Sequence, residues 1–388
     1  MKILGLISGT EGYGVRRAWL GLSDQFRKKS VDICFASVNE GNLSYELQEN
    51  DFEVNILLQK KLKNIKSGKM KIFYLIYRIF LQLFLIPKLI KVIKKNKAKV
   101  VLFRSPMEVM LMGVVSKLMG IHSYWLMPNS VSNNYPLDLN RKIYRFIFKY
   151  CNVTPIANSQ YTLSTLGQVP NGTYTHLGID PDSFVYSEEK NKFYRSRFKL
   201  KGDDILIGIF ARMTREKGQA LMIDAIHSLE EKASNVHLLV CGAGSDKVYQ
   251  KEIEDKVKEY NLSDRVHLMG AVNNVADYYS ACDIVANTRL DAEPFGFSVI
   301  EAMMMGIPVL AHKLGGPGET VIDGVTGWHI ENPNKDSFIL GLNKAINEVN
   351  MNHISKMNIK TYALSHFTAE KMVENLIAII NSDSRNGL

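Results

Sequence analysis

Short apolar runs alternate with longer stretches in which apolar residues recur every three or four positions, from one end of the chain to the other. That rhythm predicts parallel sheets covered by helices. Strands are expected at 3–7, 31–38, 100–103, 123–127 and 154–158, and a second series at 205–211, 236–242, 266–269, 284–287 and 309–312. Val15, Ala18, Trp19, Leu22 and Phe26 share one helical face, so a helix should follow the first strand. A last helix is expected from Thr368 to Ile380, with Met372, Leu376 and Ile380 in register to pack across a domain surface. Between the two series the rhythm breaks at 180–204, where Asp180-Pro181-Asp182 is turn chemistry and a polar, charged stretch runs from Glu188 to Lys201. The expected architecture is α/β, with two Rossmann-like, doubly wound parallel-sheet domains facing a cleft, at 1–185 and 186–366, and a C-terminal helix at 367–388 packing back across them. Ligands of open parallel sheets bind beyond the carboxyl ends of the strands, so the expected ligand site is that cleft.

Length supports two domains, because 388 residues exceed what one hydrophobic core usually holds. The 46% apolar and 22% charged fractions argue against disorder, and no run of eighteen apolar residues occurs that could span a bilayer. Met1 to Gly9 has one charge and too short an apolar stretch for a signal peptide, so it predicts a buried strand and a cytoplasmic protein. Cys34, Cys151, Cys241 and Cys282 lie far apart without a C-x-x-C pair, which fits reduced core residues.

Charge changes the picture of the first half. Residues 1–200 hold 30 Lys+Arg against 14 Asp+Glu, while 201–388 hold 18 against 25. From Val54 to Met107 there is no acidic residue, and basic ones (Lys60, Lys61, Lys63, Lys66, Lys69, Lys71, Arg78, Lys88, Lys91, Lys94, Lys95, Lys97, Lys99, Arg104) flank an apolar, aromatic centre at Ile72–Ile86. Such a segment suits either docking on an anionic membrane surface or a buried helix with a solvated polar face. Nucleic acid is a weaker match, since no recognised binding module accompanies the charge.

The densest chemistry lies at Glu293-Pro294-Phe295-Gly296-Phe297-Ser298-Val299-Ile300-Glu301, followed by Gly306-Ile307-Pro308-Val309. Glu293 falls in a Pro/Gly turn and Glu301 about one turn into a helix. The opening turn of a helix suits phosphate, whereas flanking carboxylates repel phosphate and accept hydrogen bonds from hydroxyls. Phosphate between two polyols describes a nucleotide-sugar. The competing explanation is that Ser298-x-x-Glu301 is a capping box. Arg212 and Lys217, after the strand at 205–211, could clamp a diphosphate, or could be solvated loop residues. The turn Gly9-Thr10-Glu11-Gly12-Tyr13-Gly14-Val15-Arg16-Arg17 lets backbone approach phosphate. It departs from a dinucleotide fingerprint at Arg17, where a third glycine should stand, and it could equally be a tight turn of any Rossmann-like domain. Gly242-Ala243-Gly244 is similarly ambiguous. The nine histidines show no metal-ligand spacing, and His312 reads as a loop anchor, so no metal site is expected.

Taken in order, the Gly-rich turn, Arg212-x4-Lys217-Gly218, Gly242-x-Gly244, and Glu293-x7-Glu301 with Gly306-x-Pro308-Val309 behind it resemble a retaining glycosyltransferase of family 4 with the GT-B fold. The likeness is densest from Ile205 to Ile330, through Gly315-Gly316-Pro317-Gly318-Glu319 and Gly324-Val325-Thr326-Gly327, and looser at Asn158-Ser159 and Pro170-Asn171-Gly172. The resemblance implies that Arg212 and Lys217 hold the diphosphate, that Glu301 binds ribose hydroxyls, and that Glu293 faces the donor sugar. Backbone amides from Phe295 through Gly296, Phe297 and Ser298 to Val299 would complete those contacts, and the Gly12 to Gly14 turn would approach the diphosphate. It implies no cofactor beyond a nucleoside-diphosphate sugar donor, UDP favoured, with metal-independent transfer of a hexosyl or N-acetylhexosaminyl group. The acceptor would be a glycan or polyprenyl-linked glycan of the cell envelope, and the enzyme would sit peripherally at the inner face of the membrane. Family members often carry a histidine where this chain continues Pro128-Asn129-Ser130, so Asn129 and Arg16 are the acceptor-side candidates, although an amide cannot act as a base. A second departure is Ala211, where a glycine commonly precedes the arginine. Two alternatives use the same residues differently: a nucleotide-sugar epimerase, and a catalytically dead, lipid-docked binding subunit.

Overall fold

A computed structural model describes residues 2–58, 71–132, 138–229, 234–244, 246–351 and 353–386. Lys60, Lys61, Lys63, Lys66 and Lys69 of the basic segment lie outside the described residues. Among the described residues the strands are β1 (Lys2–Ile7), β2 (Asp32–Ser37), β3 (Val54–Ile56), β4 (Val100–Phe103), β5 (His122–Met127), β6 (Val153–Ala157), β7 (Thr173–Tyr174), β8 (Ile205–Phe210), β9 (Val236–Cys241), β10 (Val266–Gly270), β11 (Ile284–Asn287), β12 (Val309–His312) and β13 (Gly327–Ile330). The helices are α1 (Tyr13–Lys28), α2 (Asn42–Glu49), α3 (Lys71–Asn96), α4 (Val109–Met119), α5 (Leu139–Tyr150), α6 (Gln160–Ser164), α7 (Glu188–Arg197), α8 (Gln219–Ser228), α9 (Lys247–Glu259), α10 (Val275–Tyr279), α11 (Phe297–Met304), α12 (Pro317–Thr320), α13 (Lys335–Asn350), α14 (Lys356–His366) and α15 (Ala369–Asn386).

Contacts divide the chain into two units, Met1–His176 with Met372–Leu388, and Leu177–Lys371. The first holds a sheet in the order β3-β2-β1-β4-β5-β6-β7 and the second a sheet in the order β10-β9-β8-β11-β12-β13. All strand pairs are parallel, as expected of strands that are β-branched or apolar throughout and covered on both faces. Both sheets reverse direction beside their first strand: β4 returns to the free side of β1, and β11 to the free side of β8. Loops leaving the carboxyl ends of β8 and β11 therefore diverge at a topological switch point, where an open α/β sheet leaves a crevice.

The core of the second unit gathers Ile207, Ile209, Val236, Leu238, Ile284 and Leu310 from the strands with Met222, Ile226, Phe338 and Leu342 from α8 and α13. In the first unit Leu85, Leu89 and Ile93 bury one face of α3 against Leu4, Val101 and Phe103. That much of the basic segment is a core helix, while Leu83 and Phe84 on the same helix are exposed. The charged stretch after Ser187 forms α7, capped by the Ser187 side chain and anchored through buried Tyr194 and Phe198. Helix α15 begins in the second unit and from Met372 belongs to the first, where Glu374 pairs with Lys29 at 2.9 Å. The four cysteines are free, three of them buried.

Candidate functional site

Lys217 follows β8, and Glu293 lies in the loop after β11. Their loops are stapled together, since the Thr288 hydroxyl donates to the Lys217 carbonyl at 2.5 Å and the Leu290 amide donates to the Glu216 carbonyl at 3.0 Å. Across that staple Lys217 Nζ donates to Glu293 Oε2 at 2.6 Å. The other oxygen of Glu293 is held too: Arg289 Nη1 donates to Oε1 at 3.4 Å. Arg289 is itself gripped by Asp291, whose carboxylate accepts from both Nε and Nη2. Burial alone would push the guanidinium down, but Asp291 and Glu293 together raise it, and Arg289 in turn lowers Asp291. The result is a row of alternating charge, Asp291, Arg289, Glu293, Lys217, with the Glu293 side chain only 13% exposed.

The backbone of Glu293 is fixed as well. Gly316 N donates to its carbonyl at 2.7 Å, and Glu293 forms a parallel bridge with Gly315. Gly315 has φ +96°, and a Cβ there would run into the Glu293 carbonyl oxygen. Glycine is required at this position by both the left-handed backbone and the close approach.

Helix α11 begins at Phe297 on Gly296, whose φ is +91°, and no side chain caps it. The Ser298-x-x-Glu301 capping box is therefore not formed. Phe297 and Ser298 are half-buried, Phe295 and Val299 are buried, and no capping side chain stands between the first-turn amides and a ligand. Glu301 instead accepts from the Tyr279 hydroxyl of α10 at 2.9 Å, with Glu301 6% exposed and Tyr279 fully buried. The Tyr279 ring stacks on Phe210 at the end of β8, centroids 3.7 Å apart. Burial, and then the Glu301 charge, raise the phenol well above its ordinary value, so it remains a donor. Neither acid points into bulk solvent.

Arg212 is exposed just beyond β8, and its carbonyl accepts from Gln219 Nε2 at 2.9 Å. Gly242 is explained by structure: the chain after β8 stays zipped to the chain after β9, Met213 N donating to the Ala243 carbonyl at 3.0 Å, and a Cβ at Gly242 would strike the Ala211 carbonyl. His312, at the end of β12, is buried, and burial lowers its imidazole. Among the described residues no group of three or more His, Cys, Asp or Glu could hold a metal.

In the first unit Gly12 caps α1, and a Cβ at Gly12 or Gly14 would meet nothing within 4 Å. Packing does not demand glycine there, so the space beside the α1 N-terminus is open. Arg16 pairs with Glu46 of α2 at 3.1 Å, and Asn129 is exposed after β5. Sequence reasoning passed over three residues that build the second unit's site: Arg289, Asp291 and Tyr279. An Arg four positions before a Glu signals an ion pair only on a helix, and this segment is a loop. Tyr279 closes a five-residue helix too short to show a periodic pattern.

Residues 190–363 match the family model for glycosyl transferases group 1. The chain is 28% identical over 208 residues, 51% of its length and 54% of the other, to a lipopolysaccharide 1,2-N-acetylglucosaminetransferase of Salmonella typhimurium. It is 31% identical over 172 residues, 44% of its length and 48% of the other, to the lipopolysaccharide core biosynthesis mannosyltransferase LpsB of Rhizobium meliloti. The chain spans about half the length of these curated relatives. Among solved structures, Alr3699/HepE of Anabaena in complex with UDP superposes with a TM-score of 0.82 over 98% of this chain and 100% of the other, at 19% identity, a likeness that shows the fold. The match to glycosyl transferases group 1 is thus confined to residues 190–363, within the second unit, while two sheets of parallel strands and the likeness to HepE show that the chain has the GT-B fold.

Proposed function

We propose that the chain is a retaining family 4 glycosyltransferase that moves a hexosyl or N-acetylhexosaminyl group from a nucleoside-diphosphate sugar, UDP favoured, to a lipid-linked or free glycan of the cell envelope. The observation that carries the reading is the meeting of Lys217 and Glu293 at 2.6 Å at the switch point of the second sheet, with the two loops joined backbone to backbone. Lys217 and Arg212 would neutralise charge building on the departing diphosphate without a bound metal, helped by the uncapped start of α11. Glu293 would accept from the sugar and Glu301 from the ribose. The preference for UDP draws on HepE, which was solved with UDP and with UDP-glucose. A thermal-shift panel of UDP-, GDP-, ADP- and CDP-sugars should show one base stabilising the protein by several degrees. Product analysis with and without a lipid-linked glycan then separates transfer from epimerisation. Absence of stabilisation by every nucleotide-sugar would refute the reading.

We further propose that the first unit docks peripherally on anionic lipid. Helix α4 packs between α3 and α5 and exposes Met110, Val114 and Leu118 at every fourth position, while α5 exposes Phe146 and Tyr150. Lys117, Lys142 and Lys149 surround this apolar stripe, and Asp138 is already paired with Arg141 and Arg145. Like charge disfavours a second copy of the chain on this face, whereas an anionic bilayer matches both its features. Among the described residues no helix is long and apolar enough to cross a membrane. Replacing Val114 and Leu118 with Ser, or Lys117, Lys142 and Lys149 with Gln, should weaken co-sedimentation with phosphatidylglycerol vesicles and leave donor affinity alone; undiminished sedimentation would refute docking.

A further inference from the structure

The reading above gives Lys217 two partners in turn. Its ammonium lies on Glu293 Oε2, and as a diphosphate ligand it would turn toward phosphate. Glu293 would then lose the closer of its two cations while being asked to hold its carboxylate still for a sugar hydroxyl. A carboxylate of low exposure released in that way needs a second, independent cation to stay paired and oriented.

Arg289 meets that need by geometry. It reaches the opposite oxygen, Oε1, so its contact survives the departure of Lys217 and leaves Oε2 open to accept from the donor. It cannot readily follow Lys217 onto phosphate, because Asp291 takes Nε and Nη2 together in a bidentate grip. The arginine enters the loop two residues after β11, next to Thr288, whose hydroxyl fastens the Lys217 loop. Arg289 and Lys217 are therefore set by the same loop junction, one fixed and one able to turn.

We propose that Arg289, held by Asp291, is the positioning residue that orients Glu293 toward the sugar of the donor once Lys217 has turned to the diphosphate. The proposal rests on the nucleotide-sugar reading and deepens it: Arg289 serves recognition of the sugar, not of the nucleotide. Lys217 by contrast serves both, because its release onto phosphate is what opens Oε2. Nucleotide binding and sugar recognition are thereby coupled, and a sugar hydroxyl finds its acceptor only after the diphosphate has arrived.

The test compares affinities by calorimetry for UDP and UDP-glucose, and for GDP and GDP-mannose, in the wild type, Arg289→Met, Arg289→Lys and Asp291→Asn. For the base that binds, Arg289→Met should keep nucleoside-diphosphate affinity within about twofold while the nucleotide-sugar loses about tenfold, the scale of one charge-assisted hydrogen bond. Arg289→Lys should recover part of the loss, since a single charge can reach Oε1 without the fork that Asp291 grips. Asp291→Asn should give a smaller loss in the same direction. Equal weakening of nucleotide and nucleotide-sugar in Arg289→Met, or an unchanged ratio of the two, would overturn the positioning role while leaving the nucleotide-sugar reading intact. A wild-type protein that binds none of the four ligands would overturn both. Melting curves of each variant check folding, and Arg289→Lys, which keeps the charge, serves as the arm in which a fold defect is least expected.

Discussion

Replacing Tyr279 with Phe removes one oxygen from the middle of the second unit and nothing else. The ring can keep its stack on Phe210, and no cavity larger than a hydroxyl is created. What disappears is the 2.9 Å hydrogen bond to Glu301, a carboxylate only 6% exposed. A hydrogen bond to a charged group is worth roughly 1.5–3 kcal/mol. The upper part of that range applies here, because bulk water has little access to replace the phenol. For a unit of this size each kcal/mol moves the midpoint by about 2–4 °C, so a loss of about 2–3 kcal/mol gives an expected drop of roughly 4–12 °C. The assay is differential scanning calorimetry of the wild type and Tyr279→Phe, repeated with saturating nucleotide-sugar. If Glu301 binds ribose and depends on Tyr279 for its orientation, the variant should also show a smaller ligand-induced shift. A midpoint within 1 °C of wild type would refute the claim that this hydroxyl supports the buried carboxylate. A lowered midpoint with an undiminished ligand shift would separate a structural Tyr279 from a ligand-orienting one.

Gly315→Ala should cost about 1–3 kcal/mol, from a non-glycine residue at φ +96° and a methyl driven against the Glu293 carbonyl, and should weaken donor binding as Glu293 shifts; unaltered stability and affinity in a thermal-shift titration would count against the arrangement. The stacked pair His237 and His267 on β9 and β10 should make the second unit acid-sensitive. Burial, with His237 adding to it, depresses His267 from 6.5 to about 4, and burial also lowers His237 despite its contact with Asp204. The unfolded chain takes up these protons near pH 6.5 while the folded one resists, so stability is full above that pH and is lost as pH falls toward 4. Melting midpoints from pH 7.5 to 4.5 should fall more steeply in the wild type than in His267→Gln, and parallel curves would disprove the assignment.

Much of the architecture was readable because a parallel strand buried on both faces must be continuously apolar. The expected runs at 100–103, 284–287 and 309–312 coincide with β4, β11 and β12. Strands β3 and β7, of three and two residues, escaped because so short an extended segment carries no periodicity, and β13 escaped because Gly327-Trp328-His329-Ile330 looks like the tail of a glycine-rich loop. Glu293, Glu301, Arg212 and Lys217 could be singled out as candidates from residue type and order, since carboxylates astride a helix start and cations after a strand constrain what can rest there. Their partners were not. Lys217 and Glu293 stand 76 residues apart, and only the placement of β11 beside β8 joins them. The same placement brings Arg289 to Oε1 through a loop with no repeating geometry, and Tyr279 under Glu301 through the stack on Phe210. Local sequence determines which segments become strands and helices because backbone and side-chain preferences act over a few residues. Which oxygen each cation takes is decided by strand order, a property of the whole sheet that no stretch of the chain contains.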